Sequence, residues 1–262
     1  MKVSIIIAGV NPQFIQIILD SLLNQTLPPF EVIISEDGVK PEMAKLIEEY
    51  QLKSNFNLIH LSEPHQGFRI SYIRNKAAAI AKGDFFIFSD GDLFLHKRFI
   101  EDYTKAMDKG VAFIGTRSFV EKSYTSKILS GKKAPNSVSI TRLEKNTINA
   151  FRIPGVHKFL PSISYPEDKR GGLISVHRED FFSINGYNEA FKGWGREDTD
   201  FVCRLFYHGV EIRKLKFAGL TYHLWHPIES RNSLDKNDTI LQMTIKNRLV
   251  FCELGVSGHL NK

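Results

Sequence analysis

The run Phe85-Phe86-Ile87-Phe88-Ser89 ends in Asp90-Gly91-Asp92. Strands are depleted in aspartate, so an apolar strand closing on two carboxylates needs a reason. Two carboxylates in one turn can reach a single hard cation. Magnesium and manganese bind through a few such oxygens together with substrate phosphates. Gly91 lets a ligand approach the backbone closely. An exposed turn has the same composition, so position has to decide between the readings. In open α/β sheets, ligands gather beyond the carboxyl ends of the strands. Glu36 and Asp37 follow a second apolar run, Phe30 to Ser35, and can accept hydrogen bonds from a nucleobase or a ribose. Arg69 and Arg74 flank the start of the helix after the third strand, where arginines and a helix N-terminus suit a diphosphate.

Two further stretches carry reactive residue types. His223 and His226 bracket Leu224-Trp225, and beside a carboxylate pair one of them suits a third metal ligand. In Gly193-Trp194-Gly195-Arg196-Glu197-Asp198, an indole presented between glycines precedes two acids that open a helix. Acids in a first helical turn suit the helix dipole. An aromatic face beside carboxylates also suits a sugar ring, and one acid can then serve as a general base.

These residues must be held by a framework. Strands are predicted at 3–8, 30–35, 56–61, 84–89 and 111–116, separated by helices at 14–23, 41–50, 71–82 and 97–107. Such alternation implies an α/β fold with a mostly parallel sheet and helices on both faces. The rhythm breaks over 117–170, which is polar and reads as a loop-rich insertion or flap. A strand and short helix return at 171–187, a helix at 196–209, a strand at 211–219, and a helix around 239–251 in a polar tail.

The bulk composition narrows the function classes. The 262 residues are 42% hydrophobic and 24% charged, ordinary for a globular protein. A net charge of +6, spread as scattered lysines, accompanies no groove-reading motif, so no nucleic-acid partner is expected. Cys203 and Cys252 form no CxxC pair, which suits a reducing cytoplasm. The apolar N-terminal run is too short to span a bilayer and reads as a first strand. The expectation is a cytoplasmic protein, at most peripheral at the inner face of a membrane.

Taken in order, "SEDG", "GFRISYIRNKAAAIAKGDFFIFSDGD", "GGLISVHREDFFSINGYNEAFKGWGRED" and "YH" resemble the inverting, family 2 type nucleotide-sugar glycosyltransferases with the GT-A fold. Within these the chain is similar to the GalNAc-transferring module of bacterial chondroitin polymerase and to the β-1,4-galactosyltransferase catalytic domain. The resemblance implies a GT-A fold, with a nucleotide-sugar-binding half at 1–116. An acceptor-binding and catalytic half follows at 117–262, with a mobile loop and tail, in one domain overall. It implies transfer of a hexose or N-acetylhexosamine from a UDP-sugar to a glycan or glycolipid acceptor, with Mn2+ or Mg2+, in bacterial surface polysaccharide synthesis.

Roles carry over position by position. Asp37, with Glu36 beside it, would contact uracil. Arg69 and Arg74 would lie near the nucleotide. Asp90 would face the ribose and metal, and Asp92 would ligate the ion. His223, rather than His226, matches the metal-binding histidine. Trp194 would pack on the acceptor sugar, Glu197 would bind it, and Asp198 would be the base. Gly171 and Gly172 match a glycine pair close to the bound sugars, and Arg196 would touch the acceptor or a phosphate. Three departures stand out: Ala8-Gly9-Val10-Asn11 lacks the family's aromatic contact to the base, Ser35-Glu36-Asp37-Gly38-Val39 replaces V-D-D-G-S, and Arg196 replaces a glycine. A nucleotidyltransferase shares the sheet and acidic strand ends, but its first loop should be basic and glycine-rich, which residues 8–14 are not. A carbohydrate-binding relative with a degraded site is the third reading; the intact acids weigh against it.

Overall fold

The computed structural model of the protein describes residues 1–168, 171–227 and 231–260. The first part alternates β1 (Val3–Ala8), α1 (Pro12–Leu23), β2 (Glu31–Asp37), α2 (Pro41–Gln51), β3 (Asn57–Glu63), α3 (Ile70–Ile80), β4 (Phe85–Asp90), β5 (Leu93–Leu95), α4 (Phe99–Ala106) and β6 (Val111–Gly115). Apart from the short β5, these are the elements expected from periodicity, with ends displaced by one or two residues. Then come β7 (Arg117–Val120), α5 (Lys122–Leu129), β8 (Leu143–Lys145), β9 (Leu173–His177), α6 (Arg178–Ser183), α7 (Glu197–Tyr207), β10 (Glu211–Leu215), β11 (Thr221–His223) and α8 (Leu234–Asn247).

Seven strands form the main sheet in the order β10-β6-β9-β4-β1-β2-β3. All neighbours are parallel except β9, which runs antiparallel to both β4 and β6. Because β9 and β10 lie in the same sheet as β1 to β4, the chain beyond residue 116 completes the first sheet rather than building a separate one.

β1 shows how the sequence builds both faces. Its residues are all buried, and their alternation divides them between two cores. Ile5 and Ile7 pack with Ile15, Leu19, Met43 and Phe99 of α1, α2 and α4. Ile6 packs on the other face with Ala77, Ala78, Phe181 and Phe201 of α3, α6 and α7. The parallel register then aligns the strand ends. Ala8 pairs with Ser35 on one side and with Asp90 on the other. Glu36, Asp37 and Asp90 are therefore brought to one edge of the sheet by register alone.

A second sheet of four short strands, β5-β11-β7-β8, sits beyond that edge. The stretch 117–170, expected as loop, supplies β7, α5, β8 and several 3₁₀ turns to this part of the molecule. Val120, Tyr124, Ile128 and Leu143 close a small core there with Ile17 and Leu224. Each strand is only three or four residues long, too short for a periodic signal.

α3 has to approach the sheet closely, and its alanines allow this. Ala77 and Ala78 are fully buried, and the Ser35 hydroxyl donates to the Ile73 carbonyl at 2.8 Å. One turn earlier, the buried Asn75 amide binds the chain that leads to α7. It donates to the Tyr187 carbonyl at 2.7 Å and to Glu189 at 2.8 Å, and accepts from the Tyr187 N–H at 2.8 Å. Asn75→Ala strands two buried backbone groups. The expected loss is about 2–4 kcal/mol of unfolding free energy, read by equilibrium urea denaturation. A loss below 1 kcal/mol, within what a typical single hydrogen bond contributes, would show that this contact does not hold α3 to the 185–187 turn.

Candidate active site

Three elements meet at one guanidinium. Arg74 of α3 is fully buried. Its Nη2 donates to Asp90 Oδ1 at 2.9 Å, at the end of β4, and its Nη1 donates to Asp198 Oδ1 at 2.8 Å, in the first turn of α7. Its planar face lies over the Tyr187 ring, with 5.0 Å from guanidinium carbon to centroid. Tyr187 stacks in turn on Phe201 of α7, centroids 4.2 Å apart, and its hydroxyl lies 3.3 Å from Asp198 Oδ1. Burial works against the charge on Arg74, but the neighbouring Asp198 and Asp90 outweigh it and hold its pKa above that of ordinary arginine. Asp198 Oδ2 is turned toward Gly171, where an added Cβ would fall 2.7 Å from it.

Arg117 of β7 reaches the same place from the second sheet. Its Nη1 lies 3.2 Å from Asp90 Oδ2 and its Nη2 donates to the Gly171 carbonyl at 3.0 Å. Both oxygens of Asp90 are thus engaged by arginines. Burial still dominates, and with Asp92 nearby it pushes the Asp90 carboxyl up to about 6. Gly171 and Gly172 line this cluster because nothing larger fits. A Cβ on Gly171 would fall 2.5 Å from Asp198 Cγ, and one on Gly172 would fall 2.3 Å from Arg117 Nη1 and 2.6 Å from Asp90 Oδ2. Gly172 also has φ of +92°, a conformation that disfavours side chains.

Asp92 faces elsewhere. His226 Nε2 lies 2.8 Å and His223 Nε2 3.4 Å from Asp92 Oδ2. Burial opposes the Asp92 charge, but hydrogen bonds from the two imidazoles outweigh it and hold the carboxyl well below the usual range. One ligand atom from each of Asp92, His223 and His226 can be chosen so that all lie within 4.8 Å of one another. Asp92 Oδ1 is buried without a hydrogen-bond partner. A carboxylate with an unused buried oxygen beside two imidazoles fits a divalent cation. β11 pairs with β5 so that His223 lies opposite Leu93, which sets the imidazole beside the turn carrying Asp92.

The remaining candidates fall around this centre. Asp37 Oδ1 accepts from Arg69 Nη2 at 2.9 Å, and Arg69 also donates to the Pro64 carbonyl at 2.8 Å. Glu36 is fully buried against His60, whose Nε2 lies 3.1 Å from Oε2. Burial raises the Glu36 pKa against that partner. Trp194 is half-buried beneath the Arg231 guanidinium, 5.4 Å from its ring centroid. Arg196 is turned toward α8, where its Nε donates to Asp238. Two residues at the site, Arg117 and Tyr187, were not singled out by type and spacing, and His226, which spacing offered, was set aside in favour of His223 by the resemblance. Arg117 and Tyr187 carry no local motif; only the fold reveals them.

Glu197 precedes Asp198 in α7 and is buried, with Oε2 lacking a hydrogen-bond partner. Burial first, then the Asp198 charge, raises its pKa from 4.5 to about 7. A carboxyl raised in the folded state favours folding in its neutral form. That contribution is complete below pH 4.5 and is lost as pH rises toward 7. Glu197→Gln should match the parent protein in stability near pH 4.5 and exceed it at pH 8, by a difference on the order of 3 kcal/mol. Denaturation curves across that range measure it, and a difference that does not change with pH would refute the raised pKa.

The glycosyl transferase family 2 model matches residues 4–159, and the N-terminal domain of galactosyltransferase model matches residues 140–227. Chondroitin synthase of Escherichia coli is 26% identical over 90% of this chain and 37% of its own length. Chondroitin synthase of Pasteurella multocida is 26% identical over 89% of this chain and 26% of its own. The chain thus spans about a third or less of these relatives. S. aureus TarS 1–349, solved in complex with UDP-GlcNAc, superposes with a TM-score of 0.63 at 20% identity, covering 99% of this chain and 69% of that one. GalNAc-T7, solved with UDP, GalNAc and Mn2+, gives 0.65 at 13% identity, covering 93% and 48%. The main sheet is thus that of a GT-A fold, and the chain belongs to glycosyl transferase family 2.

Proposed function

We propose that this site performs metal-dependent, inverting transfer of a hexose or N-acetylhexosamine from a UDP-sugar to a hydroxyl of a glycan acceptor. The observation that carries this reading is the division of the Asp90-Gly91-Asp92 turn. Asp90 faces Arg74, Arg117 and Asp198, while Asp92 faces two imidazoles. Cation-binding groups and a candidate general base therefore lie on either side of one strand end. The relatives support the substrate class: two are chondroitin synthases, and TarS was solved with UDP-GlcNAc. By the same analogy the acceptor is a growing bacterial surface polysaccharide.

Asp92, His223 and His226 would hold Mn2+ or Mg2+, which supplies charge neutralisation for a departing diphosphate. Asp37 and Arg69 lie at the end of β2, the side on which the nucleotide would sit. Asp90 is held rigidly by its two arginines, facing the ribose. On the opposite side, Asp198 Oδ1 is occupied by Arg74 and Tyr187, which fixes the carboxylate and leaves Oδ2 toward Gly171. That oxygen takes the proton from the acceptor hydroxyl as the hydroxyl attacks the anomeric carbon. A base on the acceptor side and a leaving group on the other favour a single displacement with inversion. Glu197 and Trp194 flank the base and would position the acceptor ring.

Three measurements test this. Asp198→Asn should lower sugar transfer by about 10²–10⁴-fold while leaving UDP affinity in manganese unchanged. Loss of UDP binding in that variant would argue that Asp198 holds the donor instead. Calorimetric titration of UDP, GDP and CDP should show UDP binding that disappears in EDTA and returns with Mn2+. Either His223→Ala or His226→Ala should raise the manganese concentration required by about 10–100-fold. Full activity in excess chelator would remove the metal from the reading, and preference for GDP or CDP would remove uridine.

A further inference from the structure

Lysines and arginines are scattered along the whole chain, but the surplus of positive over negative charge falls in one stretch. Between Lys122 and Tyr165 there are eight lysines and arginines against one acid, Glu144. That surplus of seven exceeds the +6 of the whole chain, so the other residues together are close to neutral. Arg152 is bound bidentately by the buried Asp102, but Lys132, Lys133, Lys145 and Lys158 are exposed.

The same stretch exposes large apolar side chains. Phe159 is 89% and Tyr165 77% accessible, and Ile140, Ile148, Phe151 and Ile153 are each at least 43% accessible. Six such residues fall within 26 consecutive positions, and grouped exposed apolar residues more often mark an interaction surface than single ones do. The segment is anchored. The Ile153 N–H donates to the Phe217 carbonyl at 2.8 Å and the Ile163 N–H to the Ile212 carbonyl at 2.7 Å, so it runs beside edge strand β10, where Lys214 is also exposed. Its other end is fixed to β7, where Asn149 donates to the Arg117 carbonyl and Ser118 to the Asn146 carbonyl. The surface therefore adjoins the strand that delivers Arg117 to the site.

We propose that residues 140–165 form a docking surface for an anionic lipid membrane. Lysines bring the segment to negatively charged headgroups, and Phe159, Phe151 and the isoleucines enter the interface. No described helix is long and apolar enough to cross a membrane, so the contact is interfacial. A soluble polyanion would use the lysines equally well but has no use for exposed isoleucine and phenylalanine, and this favours the lipid.

The test is co-sedimentation of the full chain with phosphatidylcholine vesicles, with and without about one-third phosphatidylglycerol. Binding should require the anionic lipid and weaken as salt rises. Replacing Lys145 and Lys158 by Gln should reduce partitioning on the order of 25-fold, about fivefold per lysine. Ile153→Ser with Phe159→Ser should reduce it by about tenfold or more, with the salt dependence retained. Both changes are at exposed positions, and unaltered thermal unfolding checks that they leave the fold intact. The proposal is overturned if neutral vesicles bind equally or no vesicle binds. It is also overturned if the serine variant binds anionic vesicles as well as the parent does, which would make the surface a general polyanion site. A dimer that forms in solution and is lost on Phe159→Ser would assign the face to a second copy of the chain instead. None of these outcomes depends on UDP binding or transfer, so the donor-site reading stands or falls separately.

Discussion

A buried guanidinium organises this molecule. Arg74 is removed from water, and an isolated charge in that position would be several kcal/mol unfavourable. It is tolerated because Asp90, Asp198 and the face of Tyr187 surround it. Those three partners come from the end of β4, the start of α7 and the turn before α7; the last two lie 11 residues from each other but far from the first in sequence. Removing any partner leaves the charge incompletely compensated, so the three elements are obliged to meet. The geometry of the site is in this sense a condition for burying α3 at all. The same constraint suits the run of alanines in the second half of α3. Ala77 and Ala78 let the helix settle onto the sheet, and this carries Arg74 inward rather than leaving it on the surface.

The two aspartates of one turn have different chemistry because their neighbours differ. Asp90 faces arginines and is nonetheless pushed up by burial; Asp92 is held down by two imidazoles. A sequence shows two equivalent carboxylates a residue apart. The strand ends between them, so the two side chains meet different neighbours: Asp90 meets Arg74 of α3 and Arg117 of β7, and Asp92 meets His223 of β11 and His226 just beyond it. Paired acids whose environments separate them in this way are a familiar means of giving one site two tasks.

Much of the main sheet was legible in the sequence because its strands are apolar on both faces and its helices carry clear stops. The strand-end acids were legible for the same reason: aspartate after a phenylalanine-rich run is locally anomalous. Arg117 was not. It lies in a four-residue strand of the second sheet, and nothing about its neighbours distinguishes it from a surface arginine. Tyr187 stacks on Phe201 as a core residue would; its hydroxyl becomes informative only once Asp198 is placed 3.3 Å away. His226 illustrates a different limit. Spacing offered two imidazoles and a motif favoured one, whereas the chain after β11 turns so that both face Asp92. Arg196 shows the reverse. A striking sequence departure suggested a ligand contact, yet its left-handed backbone, φ of +78°, directs the side chain to Asp238 on α8.

The direction of β9 supplies the last part of the site. Periodicity identifies a strand at 173–177 but not its orientation. Had β9 run parallel to its neighbours, its carboxyl end, His177, would have lain beside Asp90, and Gly171 and Gly172 would have been at the far edge. Because it is antiparallel, Leu173 pairs with Ser89 and the Asp90 N–H donates to the Gly172 carbonyl at 3.1 Å. The beginning of the strand therefore lies where the ends of β4 and β6 lie. Its first residues pass between Asp90, Arg117 and Asp198 with no room for a Cβ. The glycine pair is thus a consequence of topology: one reversed strand in a parallel sheet brings backbone, rather than side chain, into the middle of the charged cluster. Backbone there can approach a ligand closely and can give the Gly171 carbonyl to Arg117, which a bulkier residue would displace from Asp90.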